Sequence, residues 1–380
     1  MKVLIAGDFC DTGRTSDFIR RKDYAPLFDD IKPIVQSADI GIVNFEFPIV
    51  NGTAQPISKC GPNLKGQKES IEAVRYAGFN VCTLANNHIL DFGPSCCMET
   101  KCLLEQAHVK TVGVGKNLDE ASDILYVQRN GQMLAVINCC EHEFSIATSH
   151  TAGANPLNPV QQFYKIKEAR IKADYVLVIV HGGHEHYQLP SPRMKELYRF
   201  FIDIGADAVV NHHQHCFSGY EIYNGKPIFY GLGNLCFDGN CTNKDLWYYG
   251  FMVMIDFTKG LERCFDIYPY IQCKGDQKPL VSLLQGAEKE DFYQQIKSLC
   301  KIIVDDSLLG RDFEDWCESR KSVFKMLMYP FTNRWLLSLW RRGLLPDFMP
   351  GTKILKFLNM VYCESHKDTF VYYLNKKVQE

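Results

Sequence analysis

Histidine side chains, the commonest metal ligands in proteins, are concentrated in two short stretches of this sequence. Six of the eleven histidines lie between residues 181 and 215, in the segments HGGHEHYQ and NHHQH. Histidines two positions apart, such as His213 and His215, can aim two imidazole rings at neighbouring ions. We therefore interpret the two stretches as parts of one metal site.

Carboxylate and amide side chains that suit such a site stand elsewhere in the chain, at Asp8, Glu46 and Asn87. Together with imidazole, these oxygen ligands favour Mn, Fe or Zn over Ca, which prefers oxygen ligands alone. The set is larger than one tetrahedral site needs, and it would suit two ions about 3.5–4 Å apart that share a carboxylate. Such a pair lowers the pKa of a water and neutralises charge that builds on a phosphoryl or acyl oxygen.

Each of these groups follows a short apolar run that is typical of a buried strand. The five runs are residues 3–6, 40–44, 80–84, 175–180 and 208–211. Helical patterns lie between several strands, so the sequence predicts an α/β sheet with helices on its faces up to about residue 275. In such folds ligands collect beyond the carboxyl ends of the strands, which is where the polar groups stand.

The composition excludes several classes of protein. With 380 residues, 46% hydrophobic and 23% charged side chains, the chain is typical of globular proteins rather than disordered or coiled-coil ones. A net charge of −2 disfavours a globally basic nucleic-acid binder, so we expect no nucleic-acid partner. No apolar run is long enough for a spanning helix, and residues 3–6 are too few for the core of a signal peptide.

The sixteen cysteines contain no C-x-x-C pair, which argues against a zinc finger or a thioredoxin-like site. Several occur as adjacent pairs or in apolar surroundings, where a reduced thiol packs as a small hydrophobic side chain. We therefore predict a cytoplasmic protein, with a location peripheral to the membrane as the alternative.

Five segments, in order, resemble the CapA family of capsule and poly-gamma-glutamate synthesis proteins, within the calcineurin-like metallophosphatase superfamily. They are GDFCDTGR, NFEFP, LANNHILDFG, HGGHEHYQLPSP and the stretch from Gly205 through the GLGN at residues 231–234. The resemblance covers residues 1 to about 257. It implies a four-layer α/β/β/α metallophosphatase-like sandwich with a dinuclear metal centre, in a domain of residues 1–275.

The resemblance also implies roles for individual residues. The implied metal ligands are Asp8, Glu46, Asn87, His181, His213 and His215. Glu46 would take the bridging place, and the last two histidines would be split between the ions. His88 would donate a proton or stabilise the transition state, with Asp91 orienting it. Glu185 belongs to the family's His-x-Gly-x-Glu pattern and is predicted to take part in catalysis.

Cys10 and His184 are among the positions that depart from the family pattern or add to it, and Arg14 is a further candidate for substrate binding. Cys10 stands where the superfamily usually has a histidine; it supplies a thiolate ligand or, as we favour, is buried in the core. His184 is extra to the pattern and is predicted to line the substrate cleft, with an exposed loop position as the alternative. Arg14 is predicted to clamp a substrate anion, because a guanidinium can bind two oxygens at once.

After about residue 275 the composition changes, and we predict a basic, aromatic helical extension over residues 276–380. Residues 321–377 contain ten Lys or Arg against three Asp or Glu. A basic helix with aromatic side chains can lie on an anionic membrane surface. We favour packing as a helical subdomain and expect only a weak membrane contact, because prolines interrupt any long amphipathic helix. These prolines are Pro330, Pro346 and Pro350.

Three functions are compatible with these features. The leading hypothesis is a metal-dependent, phosphoesterase-like hydrolase with two divalent transition ions, acting on a phosphorylated or polymeric cell-surface precursor. The second is a hydrolase or transferase for amide bonds of a glutamate-type polymer, with the same metals. The third is a non-catalytic accessory protein that uses the fold to hold a polymer.

Overall fold

The computed structural model describes residues 1–59, 61–239, 245–258, 265–275, 281–328, 333–345, 351–362 and residue 374. The chain divides into two compact units, Met1–Gly310 and Arg311–Glu380. All five polar motifs predicted at strand ends lie in the first unit.

The first unit is built on short, buried strands. They are β1 (Lys2–Cys10), β2 (Ile40–Phe45), β3 (Val81–Thr83), β4 (Lys110–Val112), β5 (Val114–Gly115), β6 (Leu125–Arg129), β7 (Gln132–Cys140), β8 (Gly153–Ala154), β9 (Tyr175–His181), β10 (Ala208–His212), β11 (Tyr220–Tyr223), β12 (Lys226–Phe229), β13 (Asn234–Phe237), β14 (Tyr249–Asp256), β15 (Phe265–Gln272) and β16 (Val281–Leu283). Strands β1, β2, β9 and β10 are buried at nearly every position, as expected for strands covered on both faces. The strands predicted before the five polar motifs are therefore confirmed as β1, β2, β3, β9 and β10.

Helices connect many of these strands. They are α1 (Gly13–Arg20), α2 (Ala25–Phe28), α3 (Lys32–Gln36), α4 (Glu69–Ala77), α5 (Gly93–Gln106), α6 (Leu118–Ala121), α7 (Pro159–Lys172), α8 (Pro192–Ile204), α9 (Gly286–Val304), α10 (Asp306–Met328), α11 (Arg334–Arg341) and α12 (Gly351–Tyr362). Local sequence explains several starts: α7 and α8 begin at a proline, and the preceding Asn158 and Ser191 side chains accept backbone N–H bonds.

The strands form two large sheets. In the first, the order is β16-β15-β14-β1-β2-β3-β4, and β13 also pairs with β1. Strands β1 to β4 are parallel, whereas β14 to β16 continue the sheet in antiparallel fashion. In the second, the order is β11-β12-β10-β9-β7-β6, with a parallel centre and an antiparallel strand at each edge.

Alternating side chains along β1 build a core on each face of the first sheet. Val3 and Ile5 face a core that also contains Leu177 of the second sheet. The intervening Leu4 belongs to a separate core with side chains of α1 to α5, such as Ile19. Helices α7 and α8 pack on the second sheet. These contacts give four layers in the order α/β/β/α, so the predicted sandwich is confirmed.

The first unit continues beyond residue 275, where the composition changes. Strand β16 pairs with β15, and α9 contributes Phe292 and Ile296 to the core between the sheets. An apolar face on α9 explains why this compact unit ends at Gly310, later than the predicted boundary.

The described part of the second unit is helical, with most of α10 and all of α11 and α12. The three prolines of the extension, Pro330, Pro346 and Pro350, lie outside the described residues. Among the helices that are described, none combines the length and the apolarity needed to cross a bilayer.

Phe292 tests the contribution of α9 to the core. Its side chain is 2% exposed, and its ring centroid lies 4.5 Å from that of Phe217. We expect Phe292→Ala to lower the free energy of unfolding by about 3–5 kcal/mol, because a cavity remains. Urea denaturation measures the change. The control is Gln295→Ala at an exposed position of the same helix, expected within about 0.5 kcal/mol of wild type. Equal losses in both variants would contradict the packing role.

Candidate metal centre

The two sheets bring the carboxyl ends of their strands together around buried polar side chains. Asp8 lies near the end of β1, and Glu46 directly follows β2 in the first sheet. In the second sheet His181 ends β9, and His213 and His215 follow β10. All five side chains are buried. The structure thus brings five of the six predicted ligands to one place.

Ligand atoms of these residues form two groups that share Glu46. One contains Glu46, His181 and His213, and the other contains Asp8, Glu46 and His215, with the atoms of each group within 4.8 Å of one another. Glu46 Oε1 lies 3.7 Å from Nε2 of His181 and 3.7 Å from Nε2 of His215. A carboxylate common to two groups of ligands is what a bridged pair of ions requires.

Asn87, the sixth predicted ligand, joins the first group. Its Oδ1 lies 3.0 Å from Nε2 of His181, and Nδ1 of His213 lies 3.1 Å from the same nitrogen. One ring N–H of His181 cannot serve an amide oxygen and an imidazole nitrogen equally well, because each imidazole nitrogen carries at most one proton. A cation held between Asn87 Oδ1, His181 Nε2 and His213 Nδ1 would accept a lone pair from each of the three atoms.

The electrostatics of the group also fit a cation. In the described part of the chain, the buried Glu46 Oε1 accepts no hydrogen bond. Burial and the neighbouring Asp8 carboxylate raise the pKa of Glu46 well above its usual range. Burial lowers the pKa of His181, and it lowers the pKa of His215 to about 4. Burial therefore disfavours charge on His181, His215 and Glu46 alike, and a cation beside them would favour the ionised carboxylate and use the neutral imidazoles as ligands.

Two asparagines outside the predicted set hold ligands in place. Asn44 Nδ2 donates to Asp8 Oδ1 at 2.7 Å, and Asn234 Oδ1 lies 2.9 Å from Nδ1 of His215. Partners of this kind orient a ligand and select its tautomer. Both asparagines stand in segments that carry the family resemblance, NFEFP and GLGN, so the sequence contained a signal for them.

Two loop residues approach the site without belonging to any of the motifs. Glu143, after β7, has its Oε1 3.6 Å from Nε2 of His213. Lys59, between β2 and α4, has its Nζ 3.1 Å from Nδ1 of His88. Neither lies in a periodic or motif-bearing stretch, so sequence reasoning missed them.

The backbone at the site adopts conformations that glycine tolerates best. His213 and His215 have φ values of 92° and 53°, which cost about 1–3 kcal/mol each for a side chain with a Cβ. Gly7, beside Asp8, has no room for a side chain, because a Cβ there would lie 1.8 Å from the carbonyl oxygen of Gly233. Backbone strain at His213 and His215 therefore accompanies the placement of these two predicted ligands at the centre.

His88 and Asp91 form a buried pair next to Asn87. Nδ1 of His88 lies 2.7 Å from Oδ2 of Asp91, and their side chains are 7% and 0% exposed. This geometry is the one needed for Asp91 to orient the imidazole. The catalytic role of the pair stays a prediction.

Glu185 and His184 lie on the loop after β9. Burial raises the pKa of Glu185, but His215, His213 and other nearby histidines outweigh that effect and bring the pKa below its usual value. The side chain is 53% exposed, so it stands at the rim of the centre. His184 is half-buried, with its ring 6.4 Å from that of Tyr187. Their roles in catalysis and substrate binding stay predictions.

Arg14 already has a carboxylate partner within the protein, whereas Cys10 lies in the apolar core, as we favoured. Arg14 donates from Nε and Nη2 to both oxygens of Asp238, at 2.9 and 2.8 Å, so its planar fork already holds a carboxylate of the protein. A substrate anion would have to share or displace that partner, and the predicted clamp stays a prediction. Cys10 belongs to the apolar core and to neither ligand group, and burial raises the pKa of its thiol well above the usual range.

Four layers with a buried His, Asp and Glu cluster at the strand ends define a metallophosphatase-like sandwich. Residues 2–239 match the family model described as bacterial capsule synthesis protein PGA_cap. The chain belongs to this family, which confirms the resemblance to CapA proteins.

Two relatives carry the CapA name. The capsule biosynthesis protein CapA of Bacillus anthracis is 30% identical over 305 residues, which are 78% of this chain and 72% of the relative. The PGA biosynthesis protein CapA of Bacillus subtilis is 32% identical over 245 residues, and the chain spans 64% of its length. Among solved structures, a phosphatase of Mycoplasma pneumoniae aligns with 71% of this chain and 93% of its own, at 15% identity and a TM-score of 0.39.

Glu46→Gln tests the shared carboxylate. Because the pKa of Glu46 is raised in the folded protein, the metal-free fold loses stability as the pH rises from the usual carboxyl pKa to the raised one, since the unfolded chain gives up the proton first. We expect the metal-free variant to be at least as stable as the metal-free wild type at pH 7. Metal at about 100 times its Kd should stabilise the wild type by about 2.7 kcal/mol and the variant by much less.

Thermal unfolding with Mn²⁺ or Zn²⁺ and with a chelator measures both effects. The matched control is Glu196→Gln, at an exposed position on α8, which should keep the full stabilisation by metal. An equal gain from metal in Glu46→Gln and wild type would contradict the shared position.

Proposed function

We propose that the chain is a metal-dependent, phosphoesterase-like hydrolase with two divalent transition ions. The observation that supports this proposal is the pair of ligand groups that share Glu46. Asp8, Glu46 and His215 would hold one ion. The other would be held by Glu46, Asn87, His181 and His213. When bound, two Mn, Fe or Zn ions supply Lewis acidity and a water of lowered pKa.

His88 is the residue best placed to move a proton. The 2.7 Å contact between its Nδ1 and a carboxylate oxygen of Asp91 requires a proton between the two atoms. The neutral ring therefore carries its proton on Nδ1 and its lone pair on Nε2. A proton taken up at Nε2 can then pass to a leaving-group oxygen, and Asp91 holds the ring in this tautomer.

We propose a phosphorylated or polymeric cell-surface precursor as the substrate. The names of the two Bacillus relatives refer to capsule and PGA biosynthesis. The same centre suits charge that develops on an acyl oxygen, so an amide bond of a glutamate-type polymer is the alternative substrate. Both reactions use the same residues, and they differ in the group that the cleft must accept.

A substrate screen with purified protein tests the function. We expect the wild type, loaded with Mn²⁺, to contain about two ions and to hydrolyse a phosphomonoester or a phosphodiester. His213→Ala combined with His215→Ala should lose metal and reduce turnover at least about 100-fold. Asn87→Ala should lower metal content or turnover. The control is His150→Ala, at an exposed loop position, which should change neither.

The screen separates the three functions. Hydrolysis of a gamma-glutamyl anilide alone would replace the phosphoesterase by the amide hydrolase. Two bound ions with no hydrolysis of either class would support an accessory protein that binds a polymer. Unchanged metal and turnover in the double histidine variant would contradict the centre itself.

We also propose that the protein is cytoplasmic and that its extension makes a weak contact with an anionic membrane surface. Residues 333–345 and 351–362 contain five basic and no acidic side chains. Within these segments Trp335, Leu355 and Val361 are 70%, 66% and 59% exposed. Exposed apolar side chains beside basic ones are typical of helices that lie in a membrane interface, where each basic residue adds about 1 kcal/mol.

Vesicle sedimentation tests this contact. We expect the protein to bind vesicles that contain phosphatidylglycerol and to bind pure phosphatidylcholine far less. Leu355→Glu should weaken binding about tenfold, because it removes apolar area and adds a repelled charge. Ile171→Glu is the matched control, since Ile171 is an exposed apolar residue of the first unit. Equal binding to both lipids, or equal effects of both variants, would contradict the proposal.

A further inference from the structure

The loop between β2 and α4 lies directly against Asp91. The backbone N–H of Leu64 donates to Asp91 Oδ2 at 2.6 Å, and the backbone N–H of Ile57 donates to the Asp91 carbonyl at 2.9 Å. Asn63 Nδ2 donates to the same carbonyl at 3.0 Å. Residues 57–64 are therefore tied to Asp91 at several atoms, although they are remote from it in sequence.

The same loop places a lysine beside the His88 and Asp91 pair. Lys59 Nζ is bonded to Asp91 Oδ1 and lies 3.1 Å from Nδ1 of His88. The Lys59 side chain is only 3% exposed, and that of Asp91 is fully buried. Burying an ion pair costs desolvation energy that the attraction between the charges often fails to recover. The buried Lys59–Asp91 ion pair is therefore not explained by a contribution to the stability of the fold, and its contact with the neighbouring His88 points to its role.

The hydrogen-bond chemistry assigns that role. An ammonium group has donors only, so it cannot accept the Nδ1 proton of His88. Lys59 is satisfied by Asp91 Oδ1, which leaves Oδ2 for Leu64 and for Nδ1 of His88. The two carboxylate oxygens thus have separate partners. Rotation of the carboxylate away from His88 would break its bond to Lys59.

We propose that Lys59 is a positioning residue for His88, acting through Asp91 as the third member of a Lys-Asp-His relay. Lys59 holds the Asp91 carboxylate in the orientation that keeps the proton on Nδ1 and the lone pair on Nε2. This inference rests on the proposed function for its effect on turnover. The arrangement of the three side chains can be tested without turnover.

The kinetic experiment compares Lys59→Met, Lys59→Gln and Lys59→Arg with wild type on the phosphoester that the screen identifies. We expect kcat to fall about 10- to 100-fold in the Met and Gln variants, with KM and metal content unchanged, as for other residues that orient a functional group. Lys59→Arg should recover part of the loss because it keeps the charge. Lys65→Met, at an exposed position of the same loop, is the control.

The second experiment is NMR of protein labelled with ¹⁵N in its histidines. We expect a downfield Nδ1 proton signal from His88, identified by its loss in His88→Gln. This signal should weaken or disappear in Lys59→Met and Lys59→Gln, and it should persist in Lys59→Arg and Lys65→Met. The Gln variant keeps a neutral donor, so it serves where the Met variant does not fold.

The two experiments fail in different ways. Absence of any hydrolysis by the wild type would overturn the proposed function, and the NMR signal would still decide the role of Lys59. An unchanged His88 signal in both neutral variants would overturn the positioning role. An unchanged kcat in Lys59→Met and Lys59→Gln would also overturn the positioning role, whether or not KM rises.

Discussion

One carboxylate buried between two sheets is the constraint on which the rest of the site depends. The side chain of Glu46 is fully buried, and its Oε1 lies 3.7 Å from an imidazole nitrogen on each of two histidines. A buried charge with so little compensation is costly unless a cation balances it. The ionised Glu46 carboxylate is therefore favoured when a cation lies beside it, and such a cation needs further ligands from the neighbouring strand ends. That requirement explains why polar residues stand at these strand ends.

Two sheets are needed to surround that point. Neighbouring strands of one sheet lie about 4.8 Å apart, so their ends alone would place ligands in a row. The second sheet supplies imidazoles from another side. Its strands β9 and β10 end level with each other, because His181 pairs in register with His212. The chain then turns in left-handed conformations at His213 and His215. The His215 ring lies 3.6 Å from Asp8 and 3.7 Å from Glu46, and a His213 ring nitrogen lies within 4.8 Å of a Glu46 oxygen.

The strand ends were predictable because a buried strand and the polar residue after it are local features of a sequence. The five motifs therefore contained the predicted ligands that the structure brings together, and the family resemblance supplied the number of layers. Contacts between remote segments have no such local signature. Lys59 reaches Asp91 from another loop, and Arg14 finds its carboxylate at Asp238, 224 residues away. From its residue type alone, Arg14 was predicted to bind a substrate anion. In the structure its guanidinium is paired with the Asp238 carboxylate.

Composition does not show which segments pack into one compact unit, for a related reason. A change in average charge does not show which face of a helix is apolar, and α9 uses two buried side chains to join the core between the sheets. Positions that depend on one partner, on one face or on a close backbone approach are set by tertiary structure. Gly7 is an example, since its lack of a side chain is explained only by the carbonyl of Gly233.

The division between strands and loops also separates the groups that suit metal ions from the charged residues around them. The groups that suit metal ions lie at or next to the ends of five strands, where the sheets hold them rigidly. Lys59, Glu143 and Glu185 approach the same centre from loops, which tolerate sequence change far better than buried strands. A protein of this fold can therefore alter the molecule that it accepts while its ligands stay in place. Lys59 is the exception among these loop residues, because its partner Asp91 is part of the buried framework. The loop that bears Lys59 is thus constrained by its contacts with Asp91, whereas the loops after β7 and β9 carry the exposed carboxylates Glu143 and Glu185.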